Sequence, residues 1–69
     1  MNLTVNGKSR HIEAPDTEIG VLALLERFEI NPRLVAVAIN GDVIPKKDYA
    51  ATSVRHGDTV EIVRMVGGG

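Results

Sequence analysis

The sequence predicts an α+β fold, a mixed sheet of four to five strands with one main helix packed on one face. Three observations carry that expectation. Residues 1–5 alternate apolar and polar side chains, the period of a half-buried strand, and 59–66 read as a second strand with Val60 and Ile62 on one face. Val21, Leu22, Leu25 and Phe28 recur at helical spacing and mark a buried stripe. The chain has 69 residues, enough for one domain whose few elements must share a single core. A domain of this size buries only about 60% of its unfolded surface, so the core must be efficient.

Each element follows in order. In the first strand Met1, Leu3 and Val5 face one way, and "NGKS" then turns the chain. A two-residue turn at Asn6-Gly7 sets Leu3 opposite Arg10 and places a charge on the apolar face. A four-residue loop over 6–9 instead sets Leu3 opposite Ile12 and Met1 opposite Ala14, and is the register preferred here. "APDTE" breaks the strand and starts a helix, with Asp16 or Thr17 as cap and Glu18 at the positive end of the dipole. The helix is expected over Ile19 to Phe28, with Gly20 weakening its first turn and "INP" ending it at Pro32. In "LVAVAIN", Val35, Val37 and Ile39 face inward and Ala36 and Ala38 outward. Asn40-Gly41 turns the chain, and Pro45 confines "VIP" to a sheet edge or end. "KKDYAA" reads as one helical turn and "RHGD" as another turn. "TVEIVRMV" is the last strand, with Val60 and Ile62 inward and Val63 and Met65 outward. The first and last strands are expected to pair at the centre. One helix on such a sheet is the β-grasp, or ubiquitin-like, architecture, here spanning 1–66 with a Gly tail at 67–69.

Composition narrows function. There is no Cys, so disulfides, thiolate metal ligands and thiol catalysis fall away. A hydrophobic content of 43% marks a globular chain. A net charge of −1, with Phe28 and Tyr49 the only aromatic residues, argues against nucleic acid and anionic lipid as partners. No apolar run approaches a membrane span, and residues 1–5 read as a strand and not as a signal peptide, which sets the expectation of a soluble cytoplasmic protein. His11 and His56 are too far apart in sequence to suggest a metal site. Ser53, His56 and Asp58 carry the letters of a hydrolase triad, but Asp58 beside Gly57 reads as a turn former. No phosphate-binding Gly motif is present, and a chain this short has little room for a deep pocket, typically about 300–1,000 Å³. The expectation is therefore a protein that is not an enzyme.

Two features remain. The last strand runs without a polar spacer into Gly67, Gly68 and Gly69. If strand 34–39 neighbours the last strand, Ala36, Ala38, Val63 and Met65 form an apolar patch on the open face, with Val66 continuing toward the tail. Such patches mark partner sites. Ala is also small enough for any position and Val63 suits any strand, so patch and plain strand composition both stand as readings.

The segments "AVAINGDVIP", "HGDTVEIVRMVGG" and "DTEIGVLALLE" resemble the ThiS family of sulfur-carrier proteins of thiamine biosynthesis, over essentially the whole chain. The resemblance implies that the Gly69 carboxylate is adenylated by an ATP-dependent, ThiF-like partner that also binds the Mg²⁺. Sulfur from a donor then replaces AMP to leave a thiocarboxylate, which a ThiG-like thiazole synthase consumes. The chain itself would need no cofactor. Gly67 departs from the family's diagnostic pair of glycines and is expected only to lengthen the tail. The alternatives are a molybdopterin-type carrier, a ubiquitin-like modifier joined through its C-terminus, and an RNA-binding β-grasp domain, the last disfavoured by charge and aromatic content.

Overall fold

The computed structural model of the chain describes residues 1–13 and 17–65. β1 (Asn2–Val5) and β2 (Lys8–His11) form a hairpin, and β3 (Glu18–Gly20) leads directly into α1 (Val21–Arg27). A 3-10 turn at Pro32–Leu34 precedes β4 (Val35–Ile39) and β5 (Asp42–Ile44). A second, Lys46–Ala51, precedes β6 (Ser53–Arg55) and β7 (Thr59–Arg64). The main sheet has the order β2-β1-β7-β4-β5. The central pair, β1 and β7, is parallel, and the other pairs are antiparallel. β5 lies at an edge, as Pro45 requires.

The core forms where the inward residues of three strands meet the helix. Leu3 and Val5, Val35, Val37 and Ile39, and Val60 and Ile62 pack with Val21, Leu24 and Leu25. Tyr49 and Val54 complete it, and the Tyr49 hydroxyl donates to the Val35 carbonyl at 3.2 Å, so its burial leaves no polar group unpaired.

The first hairpin corrects the expected register. The turn is the two-residue one, with Asn6 at φ 50° and Gly7 at φ 81°, and Leu3 does face Arg10. Asn-Gly meets the positive φ values of a tight hairpin turn at little cost, and that local preference wins. The charge is accommodated because β2 is an edge strand and the Arg10 guanidinium carbon lies over the Phe28 ring, 4.8 Å from its centre. Ile12 is still buried. It exchanges backbone hydrogen bonds with Met1, two residues from the expected partner, and so keeps the same face.

The helix is shorter than expected. Ile19 and Gly20 belong to β3, which pairs with β6 through Ile19 opposite Val54. This small ladder was not anticipated, and it takes the residues that propensity assigned to the first helical turn. Gly20 is the cap residue and makes no side-chain cap bond. The Val21 amide is satisfied by the Thr52 carbonyl at 2.8 Å, so Thr17 does not cap the helix; Asp16 lies outside the described residues. The buried residues of α1 are Val21, Leu24 and Leu25. Leu22, placed in the stripe by its spacing, is 41% exposed.

The helix also ends before Pro32 can act. The Ile30 amide donates to the Leu25 carbonyl and the Glu29 amide to the Glu26 carbonyl, both at 2.9 Å, with Glu29 at φ 58°. These are the two bonds of a Schellman cap, whose left-handed residue is usually Gly. Here a side chain occupies that position under strain. Glu29→Gly is expected to stabilise the fold by about 0.5–1 kcal/mol. A urea midpoint that stays put or falls would contradict this reading.

Candidate functional site

The open face of the sheet is built by strict alternation. β4 and β7 pair with Ala36 opposite Val63 and Ala38 opposite Glu61, and β4 and β5 pair with Ala38 opposite Val43. The expected neighbourhood of Ala36, Ala38 and Val63 is therefore real. Met65 joins it one step past the end of β7, where its amide donates to the Leu34 carbonyl at 2.9 Å. Val63 is 57% exposed and Met65 42%.

Two further members were missed: Val43, 74% exposed, and Leu34, 49% exposed. Both were recoverable. A two-residue turn at Asn40-Gly41 fixes Ile39 opposite Asp42 and hence Val43 beside Ala38. Leu34 precedes Ala36 by two residues and shares its parity. The two alanines form the floor of a shallow depression of about 170 Å³, bordered by Val43, Val63 and Glu61. A small floor between larger apolar residues accepts a partner's apolar side chain better than a flat surface does.

The base of the tail is firmly held. β7 runs beyond the end of β1, where backbone pairing stops, and the Asn6 side chain takes over. Its Oδ1 accepts from the Ile62 amide at 2.7 Å and its Nδ2 donates to the Ile62 carbonyl at 3.1 Å. At the other end of β7, Asn40 Oδ1 accepts from the Thr59 amide at 2.9 Å, while its Nδ2 donates to the Asp58 carboxylate. The chain therefore reaches Met65 from a fixed strand. Val66, Gly67, Gly68 and Gly69 lie outside the described residues, so the expected roles of these four rest on sequence.

Two of the three residues with the letters of a triad make structural bonds. The Asp58 carboxylate accepts from the Arg55 amide at 2.8 Å and closes the turn. His56 Nδ1 accepts from the Asn2 amide at 2.9 Å, a backbone bond that fixes the ring. Among the described residues, no three His, Asp or Glu side chains gather as metal ligands would, and no helix is long and apolar enough to cross a membrane.

A five-stranded mixed sheet crossed by one helix, with an apolar open face at the end where the last strand leaves, defines a small ubiquitin-like β-grasp protein. Comparison with known proteins is more specific. The chain belongs to the ThiS family, whose model matches residues 3–69. The crystal structure of the thiamine biosynthesis protein ThiS from Geobacter metallireducens superimposes with a TM-score of 0.86 at 37% identity, covering 100% of both chains. A thiazole synthase of Paramagnetospirillum magneticum is 42% identical over all 69 residues, and the chain spans only 20% of that protein's length. An uncharacterized protein of Porphyra purpurea, ycf40, is 28% identical over the whole chain and 93% of its own length.

Proposed function

We propose that this chain is a sulfur carrier of thiamine biosynthesis and that the group it carries is formed on the carboxylate of Gly69. The observation that carries the proposal is the family match, which extends through the terminal glycines, together with the anchored, apolar-flanked strand that precedes them. The names of the related proteins, thiamine biosynthesis protein and thiazole synthase, favour this pathway over a molybdopterin-type carrier or a protein modifier.

The chemistry suits the residue type. A carboxylate resists nucleophiles because it is negatively charged. An adenylating enzyme, with its own Mg²⁺, lets a Gly69 carboxylate oxygen attack the α-phosphorus of ATP, and pyrophosphate leaves. Hydrosulfide or its equivalent then attacks the carbonyl carbon. The bond to the phosphate oxygen breaks, AMP departs, and a thiocarboxylate remains. Thiazole synthase is the consumer of that sulfur. The chain itself is the substrate of both enzymes, and its work is cytoplasmic, where ATP is supplied. The mixed anhydride must be shielded from water inside the partner. Glycine lacks the side chain that would obstruct such a channel, and three extended residues reach about 10 Å.

With an adenylating enzyme present, the chain should support exchange of labelled pyrophosphate into ATP. An absence of exchange with an enzyme active on its own carrier would contradict the proposal. The patch of Leu34, Ala36, Ala38, Val43, Val63 and Met65 is the proposed docking surface. Val63→Asp is expected to weaken binding at least about tenfold, or 1.4 kcal/mol. Its melting temperature should barely change, because Val63 points away from the core. Unchanged affinity would remove the patch from the interface.

A further inference from the structure

The short turn of the first hairpin has a consequence on the helix side of the sheet. It places Lys8 opposite Val5 and Arg10 opposite Leu3, so two cations stand on the face that elsewhere is apolar. Arg27 comes in from the end of α1. These three, with Phe28 and Ile30, line an open cleft of about 530 Å³. Glu29 is the one acid on its rim. Among the described residues the ion pairs are His11–Glu13 and Arg55–Glu18, so no carboxylate lies within ion-pair distance of Lys8, Arg10 or Arg27.

The position of the cleft matters as much as its charge. Val5 lies beside Val60, Asn6 is bonded to Ile62, and β4 starts with Val35 opposite Arg64. The cleft therefore opens at the end of the sheet where β7 leaves. The apolar patch lies on one face of this strand and the basic cleft on the other. A protein that approaches β7 over this end meets both surfaces.

We propose that the cleft seats an acidic segment of thiazole synthase, with carboxylates at Lys8 and Arg27 and an apolar side chain over Ile30. The cationic lining sets the chemistry of the segment. The identity of its owner rests on the carrier reading above and on the relative that joins a stretch 42% identical to this chain with a thiazole synthase in one polypeptide. Charge at this site speeds encounter and fixes orientation, while the apolar patch holds the complex once formed. Arg10, over the Phe28 ring, forms the floor and keeps its charge exposed to the segment.

The test compares association of the full chain with separately produced thiazole synthase at about 50 mM and about 500 mM salt. Lys8→Glu/Arg27→Glu is expected to lower the association rate at least about tenfold at low salt, with the gap closing at high salt. Val63→Asp instead speeds dissociation at both salts. Lys8→Ala/Arg27→Ala should show a smaller loss of the same kind, and serves if charge reversal disturbs folding. Association rates equal to wild type at low salt would overturn the cleft as a docking site while leaving the carrier reading intact. A wild-type chain that fails to bind thiazole synthase at all would overturn both.

Discussion

Leu25→Ala is expected to destabilise the fold by about 3 kcal/mol and lower its melting temperature by roughly 15–20 °C. Leu25 is 1% exposed and lies between the helix and the sheet, so truncation removes buried methyl groups and leaves a cavity. Its carbonyl also accepts the Ile30 amide that closes the helix, tying the side chain's position to the cap. A chain of this length holds in total about 3–10 kcal/mol, so the variant should be close to unfolding at physiological temperature. Leu22→Ala is the control. Leu22 is on the same helix but 41% exposed, and its loss should be well under half as large. Equal losses at Leu22 and Leu25 would mean that the helix presents a different face to the sheet.

Deletion of Gly69 is expected to abolish sulfur acquisition while leaving the melting temperature unchanged. Gly68 would then carry the carboxylate, but about 3.3–3.6 Å short of its former reach. Displacement by even 1 Å from a near-attack position can cost about 100-fold in rate, and the proposed adenylation site belongs to the partner. Stability should not respond, because among the described residues β7 ends at Arg64 and the anchoring bond furthest along the chain is that of Met65. Sulfur gain by the truncated chain would show that the reach supplied by Gly69 is not required.

The fold was legible where alternation was long. The faces of β4 and β7 are legible because large and small residues alternate over Val35–Ile39 and polar and apolar ones over 59–62, and a register error would expose the whole apolar set. Asn40-Gly41 and Asn6-Gly7 were both legible as turns. The first hairpin departs from the expected register because a charge opposite Leu3 is tolerated there. On an edge strand, Arg10 can cover Phe28 and keep its guanidinium in water. The β3–β6 ladder was hidden for a different reason: three residues are too few for periodicity, and "EIG" joins smoothly onto a helical pattern. Leu22 stands in place of Leu24 because both leucines fit a helical stripe with Val21, Leu25 and Phe28, and only the packing decides which flank turns inward.

The site divides along the same line. Ala36, Ala38, Val63 and Met65 were found from parity on two strands already placed. Val43 escaped because "VIP" was treated only as an edge and its facing was not followed. The basic cleft was out of reach, since it depends on the tight turn that the charge argument rejected. The roles proposed for Val66 and the three glycines rest on chemical type and family resemblance, and those proposed roles hold the central claim.

That claim is tested most directly by weighing the intact chain after incubation with an adenylating enzyme, ATP, Mg²⁺ and a sulfide donor. A gain of about 16 Da, the exchange of one carboxylate oxygen for sulfur, is the predicted result. It should depend on ATP and map to the C-terminal peptide. An unchanged mass, under conditions in which the same enzyme loads its own carrier, would contradict it.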